Sequence, residues 1–130
     1  MRFTPPAPRK KDFRIGVLGS GFIVNDCHLV SYRRCGFNPV AIASRRREAA
    51  AGVAARHSIP RVCESYEELL DDPAIEVLDI AVPPQHQLAL IRAACARGTV
   101  RGILAQKPLA LSYREAEEGL SSSSPIRCQT

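Results

Sequence analysis

The sequence predicts an α/β fold, a parallel sheet with helices wound over both faces, and three observations carry that prediction. Four short, nearly continuous apolar runs, FRIGVLG, NPVAIAS, IEVLDIAV and VRGILA, alternate with longer stretches of helical composition. Continuous apolar strands are those buried on both sides, as in parallel sheets covered by crossover helices. Glycine and proline punctuate the junctions, at Gly19, Gly36, Pro39, Pro83-Pro84 and Gly98. Finally, 130 residues at 45% hydrophobic and 24% charged bound the chain to one ordinary globular domain with enough material for a core.

Taken in order, residues 1–13 are Pro-rich and basic without a period, and read as a flexible arm. FRIGVLG is the first strand, stopped by Gly19. FIVNDCHLVSYRRCG places Ile23, Cys27 and Val30 near helical spacing and closes at Gly36. NPVAIAS is the second strand, opened by Pro39 where a missing N–H is tolerable. The Ala-rich RRREAAAGVAARHS is helical, and a short strand follows near Arg61 to Cys63. SYEELLDD is a helix with Ser65 and Glu68 at capping-box spacing. IEVLDIAV is a third long apolar run, ended by the two prolines. QHQLALIRAACARG sets Leu88, Ile91 and Cys95 on one face and ends at Gly98. VRGILA is another strand, and SYREAEEGL a last helix with Ser112 and Glu115 as a second capping pair. The domain is thus expected over 14–120, with about five strands and an end before the sixth. Residues 121–130 read as a disordered Ser-rich tail with no strand.

Charge and cysteine content narrow the function classes. Eighteen Lys and Arg against thirteen Asp and Glu leave +5, concentrated in RFTPPAPRKKDFR and Arg45-Arg46-Arg47. The chain has no Trp, no interleaved aromatic platform and no nucleic-acid motif, so solvated basic segments are a better reading than nucleic-acid binding. Cys27, Cys35, Cys63, Cys95 and Cys128 are odd in number, and none form a closely spaced pair of the kind that holds a metal. Free thiols, mostly filling the core, in a reducing cytoplasm are the expectation. No signal-like segment and no apolar run near the ~20 residues of a membrane span is present.

The glycine loop points to a ligand. Gly19-Ser20-Gly21 sits where the first strand turns into the first helix. In that context Gly19 takes the tight turn and Gly21 lets the backbone approach a pyrophosphate. Phe22 and Ile23 then open a helix whose N–H groups and partial positive charge favour phosphate. Val24 stands where a third glycine is usual, implying a slightly wider helix–strand contact. The second strand ends Ala43-Ser44-Arg45, with no acid to bind ribose hydroxyls or repel a 2′-phosphate. Ser44 can donate a hydrogen bond and Arg45 can grip phosphate oxygens, which favours NADP over NAD; a helix N-cap at Ser44 is the lesser reading and is compatible with that role. These features specify a Rossmann-type doubly wound sheet. In ILAQKPLA, Lys107 follows the carboxyl end of a parallel strand, the end at which such folds bind ligands, so a ligand-facing lysine is favoured over a plain strand end and turn.

These stretches together resemble the N-terminal domain of the glucose–fructose oxidoreductase, inositol dehydrogenase and MocA (Gfo/Idh/MocA) family, from about Arg14 to Leu120. RIGVLGSGFIVNDCHL looks like its first strand, loop and helix. Ser44-Arg45 after strand two, the SYEELL helix and the strand ending in prolines follow in the family's order. QKPLALSYREAEEGL looks like its Glu-Lys-Pro motif and following helix. The resemblance implies hydride transfer between a nicotinamide cofactor and a sugar, polyol or related small molecule. It places Lys107 as the catalytic residue beside the nicotinamide, with Gln106 and Pro108 flanking it. Val82, Pro83 and Pro84 would shape the loop beside the cofactor. His86 joins that set, although a polar residue in the first turn of a helix is the simpler reading, and His28 and His57 are read as structural. Two departures matter. Gln106 replaces the motif's Glu and removes a negative charge that would hold up the lysine's pKa. The family's substrate domain has no counterpart in these 130 residues, so little or no turnover by the chain alone is expected. The alternative is a non-catalytic nucleotide-binding or protein-interaction module arising by truncation or splicing, with a partner or second copy covering the surface left by the missing domain.

Overall fold

The apolar runs form strands where the sequence places them: β1 (Arg14–Leu18), β2 (Asn38–Ala43), β3 (Arg61–Val62), β4 (Val77–Ile80) and β5 (Gly102–Ala105). The computed structural model describes residues 9–106, Arg114, Glu117 and the backbone of 127–129. Lys107, Pro108 and the Ser112–Glu115 pair lie outside the described residues. A π-helical turn (Ile23–His28) runs into α1 (Leu29–Cys35), followed by α2 (Arg47–His57), α3 (Tyr66–Leu70) and α4 (Pro84–Arg97).

With a short strand β6 (Arg127–Gln129) at one edge, every paired strand is parallel, in the order β3-β2-β1-β4-β5-β6. From β1 the chain winds outward to β2 and β3, then returns to the other side of β1 with β4. That reversal opens a crevice beyond the carboxyl ends of β1 and β4. Pro39 has its cost: β2 pairs Pro39 with Ile15 and then Ala41 with Gly16, so Val40 is an extra residue in a bulge. A residue with no N–H interrupts the ladder, and a bulge absorbs it.

Alternate residues of β1 feed two cores. Ile15 and Val17 join Val24, Leu29, Ile42 and Val53 beneath α1 and α2. Leu18 joins Leu69, Leu78, Ile80, Ile91 and Ile103 beneath α3 and α4. Gly16 is on this second side, where a Cβ would meet Leu69 at 2.7 Å, so glycine lets α3 sit close to the sheet. Leu78 is completely buried; truncating such a leucine to alanine typically costs about 2–5 kcal/mol.

Several expectations need correction. The first helix does not bury the stripe Ile23, Cys27 and Val30. Its buried residues are Val24 and Leu29, while Ile23 and Cys27 are exposed. The cause is the π-helical turn, in which the Leu29 N–H reaches back five residues to the Val24 carbonyl. That winding rotates the buried face away from where a 3.6-residue period puts it. In α4 the buried set is Gln87, Leu90, Ile91 and Ala94, one position earlier than Leu88 and Cys95. Of the four described cysteines only Cys63 is buried; Cys27 and Cys35 are exposed. The Ser-rich end also contains a strand, β6 (Arg127–Gln129), paired parallel to β5. An edge strand such as β5 offers a row of unpaired N–H and C=O groups, and a short returning segment satisfies them. The end of the basic arm is likewise tied down. Lys10 reaches Glu76 at 3.6 Å, and the Phe13 ring has the Lys10 and Arg101 cations 4.6 and 5.4 Å from its centroid.

Candidate dinucleotide site

The crevice at the strand reversal is a cleft of about 350 Å3. Its lining comes from three strand ends: Gly19, Ser20 and Gly21 after β1, Ser44, Arg45 and Arg46 after β2, and Ala81, Val82 and Pro83 after β4. Ala49 of α2 and Tyr66 of α3 complete the wall. Seven of the residues singled out in the sequence therefore meet here, although they lie up to 64 positions apart (83 − 19).

Gly19 is held by both neighbours of β1. Its N–H donates to the Ala43 carbonyl at 2.8 Å, and the next ladder bond runs from the Ala81 N–H to Leu18 at 2.9 Å. Its φ is +120°, and a Cβ there would overlap the Ala81 carbonyl oxygen. Only glycine fits both constraints. Gly21 differs: it is exposed, has no positive φ, and nothing lies within 4 Å of the place a Cβ would take. Nothing among the described residues requires glycine there, whereas a phosphate lying against the backbone would. That open cradle at the start of a helix fits a pyrophosphate. Beyond it Phe22 is 71% exposed and Ile23 is exposed beside it. Val24, at the third-glycine position, is fully buried inside the π-helical turn.

At the end of β2 the hydroxyl of Ser44 donates to the Arg46 carbonyl at 2.7 Å, so its proton is already engaged. Ser44 does not cap α2, whose N-cap residue is Arg46 without a side-chain cap bond. Arg47 is paired with Glu64 at 2.6 Å, but Arg45 and Arg46 have no ion-pair partner among the described residues. None of the residues lining the cleft is acidic.

A second hollow of about 280 Å3 adjoins the cleft through Arg45 and Tyr66, and is lined further by His86, Ala89 and Leu90. His86 stands here, in the first turn of α4, its N–H bonded to the Pro83 carbonyl at 2.9 Å. Burial raises the Tyr66 pKa, outweighing the opposing effect of the Arg45 charge and main chain. Tyr66 is not legible as a site residue in the sequence; its only signal is its place at the start of the helix crossing back from β3. It is positioned by Ser65, whose hydroxyl accepts the Glu68 N–H at 3.1 Å. The return half of that capping box falls one residue early, with Glu68 accepting from the Glu64 N–H at 2.7 Å. Pro84 begins α4, and Gln106 follows β5 with its N–H on the Ile80 carbonyl at 3.0 Å.

One network has no signature in the sequence. Asp79, in the middle of the apolar β4 and 0% exposed, accepts from Tyr32 OH at 2.6 Å and pairs with His28 Nδ1 at 2.8 Å. The hydrogen bond to Asp79 raises the His28 pKa against the opposing effect of burial. Burial, then the Asp79 charge and hydrogen bond, push Tyr32 well above the ordinary phenol range. His28 and Tyr32, one turn apart, both bond Asp79, 51 and 47 residues away, and so tie the first helix to β4. His57 is buried with Nε2 2.7 Å from the Asn25 carbonyl oxygen.

A glycine turn into a helix, at the reversal point of a parallel sheet and flanked by unpaired arginines, defines a Rossmann-type dinucleotide-binding domain. The chain belongs to the Gfo/Idh/MocA family, whose model, described as an oxidoreductase family with an NAD-binding Rossmann fold, matches residues 13–122. It is 34% identical over 108 residues to trans-1,2-dihydrobenzene-1,2-diol dehydrogenase of Mus musculus, covering 81% of this chain and 32% of that protein. Among solved structures, levoglucosan dehydrogenase in complex with NADH and levoglucosan superposes with a TM-score of 0.77 at 28% identity. That match covers 85% of this chain and 32% of the other. A 3-ketoreductase from Actinomadura kijaniata in complex with TDP-benzene and NADP superposes at 0.79 and 26%, covering 88% and 36%. The chain therefore spans about a third of the length of the curated relatives it matches. Among the described residues no helix is long and apolar enough to cross a membrane.

Proposed function

We propose that this chain binds NADP(H), in preference to NAD(H), as the cofactor-holding part of an oxidoreductase acting on a sugar, polyol or related small molecule. The observation that carries the reading is the cleft lined by Gly19 to Gly21, Ser44 to Arg46 and Ala81 to Pro83. The pyrophosphate lies over Gly21, and the adenosine end extends toward Arg45, Tyr66 and His86. Arg45 and Arg46 carry the 2′-phosphate preference. Ser44 contributes only if its hydroxyl leaves the Arg46 carbonyl. Phe22, Ile23, Val82, Pro83 and Pro84 then border the nicotinamide half.

The nicotinamide supplies the hydride donor or acceptor. Lys107, one peptide bond beyond Gln106 at the carboxyl end of β5, hydrogen-bonds the reacting oxygen and stabilises charge as the hydride moves. Pro108 restricts the backbone after it. Turnover also needs a substrate held in near-attack geometry and a proton partner in reach. The relatives extend well beyond the region that this chain matches, so these 130 residues assayed alone are expected to turn over little or nothing. The names of the relatives, dehydrogenases of a diol and of levoglucosan and a 3-ketoreductase, agree with interconversion of a hydroxyl and a carbonyl.

Fluorescence titration of the purified chain with NADPH and NADH tests this. NADPH binds more tightly, and Arg45→Ala weakens NADPH about tenfold while changing NADH less than about twofold, as loss of one charge-assisted contact predicts. Equal affinities, or tighter NADH, would remove the NADP preference; no binding of either cofactor would remove the proposal. Dehydrogenase activity on a sugar or polyol that Lys107→Ala abolishes would show that the chain is active by itself.

A further inference from the structure

His57 ends α2 with its ring buried, 4% exposed, against the π-helical turn that opens the first helix. Its Nε2 lies 2.7 Å from the Asn25 carbonyl oxygen and 3.1 Å from Asn25 Oδ1. A carbonyl oxygen only accepts, so Nε2 carries the ring proton and donates. Nδ1 is then bare, buried and without a hydrogen-bond partner among the described residues. A leucine would fill similar space and leave no polar atom unpaired, so packing alone does not call for an imidazole here. Asn25 is in turn bonded to the glycine cradle, its N–H donating to the Gly21 carbonyl at 2.9 Å. Two peptides meet at the Asn25 Cα: 25–26 accepts from His57, and 24–25 donates to Gly21. The Gly21 carbonyl belongs to the 21–22 peptide, whose other pole is the Phe22 N–H at the helix start. On the exposed side of the same contact Arg56 pairs with Asp26 at 2.7 Å. The last two residues of α2 thus grip the π-helical turn, while its first residue follows Arg45 and Arg46 of the cleft wall.

We infer that His57 is a positioning residue for the pyrophosphate: by holding the Asn25 carbonyl it keeps the π-helical turn in register, and so keeps the Gly21–Phe22 peptide presented to the phosphate. This rests on the proposed binding of a dinucleotide over Gly21. NADPH and NADH share the pyrophosphate and differ at the 2′-phosphate assigned to Arg45 and Arg46. Loss of the His57 bond therefore weakens both cofactors by the same factor, whereas Arg45→Ala weakens NADPH selectively. A role confined to packing would lower stability and leave both affinities of the folded protein unchanged.

Fluorescence titration of the full chain with NADPH and with NADH, at a temperature where circular dichroism shows each variant folded, reads both affinities. In His57→Leu each Kd rises about tenfold, as loss of one hydrogen bond to a charged phosphate predicts, and their ratio stays at the wild-type value. In His57→Gln, whose side-chain amide supplies an N–H donor in place of Nε2, both affinities return to within about twofold of wild type. Wild-type affinities in His57→Leu, with only a lower melting temperature, overturn the positioning role. Weakening confined to NADPH, or no recovery in His57→Gln, also overturns it. If His57→Leu does not fold, His57→Met, unbranched and without a donor, is scored by the same outcomes. On the wild-type chain, 15N NMR of the imidazole finds the proton on Nε2; a bare Nε2 overturns the inference, because the bond to Asn25 would not exist. Each of these failures leaves cofactor binding standing, whereas wild-type chain that binds neither cofactor overturns the proposed function itself.

Discussion

Gly19 and Gly21 are two residues apart in one loop, yet replacing each by alanine should do opposite things. At Gly19 the backbone has φ of +120°, and an added Cβ overlaps the Ala81 carbonyl oxygen and sits 3.0 Å from its carbon. Forcing an L-residue into a conformation that glycine alone adopts readily costs about 1–3 kcal/mol. Relieving the overlap means moving the end of β1 from β4, at the expense of the Gly19–Ala43 or Ala81–Leu18 bond, about 0.5–1.5 kcal/mol each. Gly19→Ala should therefore destabilise the fold by roughly 3 kcal/mol, lowering Tm by about 10–20 °C in a domain of this size. At Gly21 the Cβ enters open space, so Gly21→Ala should change stability by less than about 0.5 kcal/mol. It should instead weaken NADPH about tenfold or more, because the methyl occupies the place a phosphate needs. Urea melts followed by far-UV circular dichroism, with NADPH titration of each variant, measure both. A Gly19→Ala protein as stable as wild type, or a Gly21→Ala protein that binds NADPH equally well, would refute the reasoning about this loop.

Three further outcomes follow from the same structure. His28 has a raised pKa in the folded state, so its contribution is complete below its ordinary value of 6.5 and is lost as pH rises through the raised one. Glu68 and Glu76 are lowered, chiefly by the backbone N–H groups of Glu64 and Arg14, so their contributions hold above 4.5 and fade in acid. Thermal melts should accordingly peak between about 4.5 and 6.5, and His28→Gln should flatten only the alkaline side; an unchanged alkaline slope would contradict the Asp79 pairing. Ser65→Ala should cost about 1 kcal/mol by removing the cap of α3, read as a Tm loss of about 4–8 °C. Asp79→Asn, which keeps the volume but removes the charge, should bring the Tyr32 phenol back toward its ordinary range in an ultraviolet pH titration.

The parts of this fold that can be read from sequence are those governed by local rules. Apolar runs bounded by glycine and proline locate β1, β2, β4 and β5, and Ser65 with Glu68 locates α3. Strand, glycine turn and helix in succession locate the cleft, because that order fixes which strand ends come together. The misses share a different character. The face of the first helix departs from its apparent period because a π-helical turn changes the winding, and nothing in IVNDCH marks it. Asp79 is hidden in an apolar run since its partners, His28 and Tyr32, lie 51 and 47 positions away. Gln87 falls in a helix pattern where a polar residue is usually surface, and its hydrogen bond to the carbonyl of Gln106, 19 positions away, has no sequence signature. β6 depends on the open edge of β5, a property of the assembled sheet. The arginines after β2 are legible, but the engaged hydroxyl of Ser44 shows that proximity in sequence does not establish which of its neighbours it serves.

The central claim is that a nicotinamide dinucleotide binds across the carboxyl ends of β1, β2 and β4. Amide chemical-shift mapping of the 15N-labelled chain during NADPH titration tests it most directly. Saturable shifts are expected at Gly19, Ser20, Gly21, Arg45, Tyr66, Ala81 and Val82, with Gly36 and Gly98, which close α1 and α4 away from those loops, left unmoved. Shifts centred elsewhere, or none at millimolar NADPH and NADH, would contradict it.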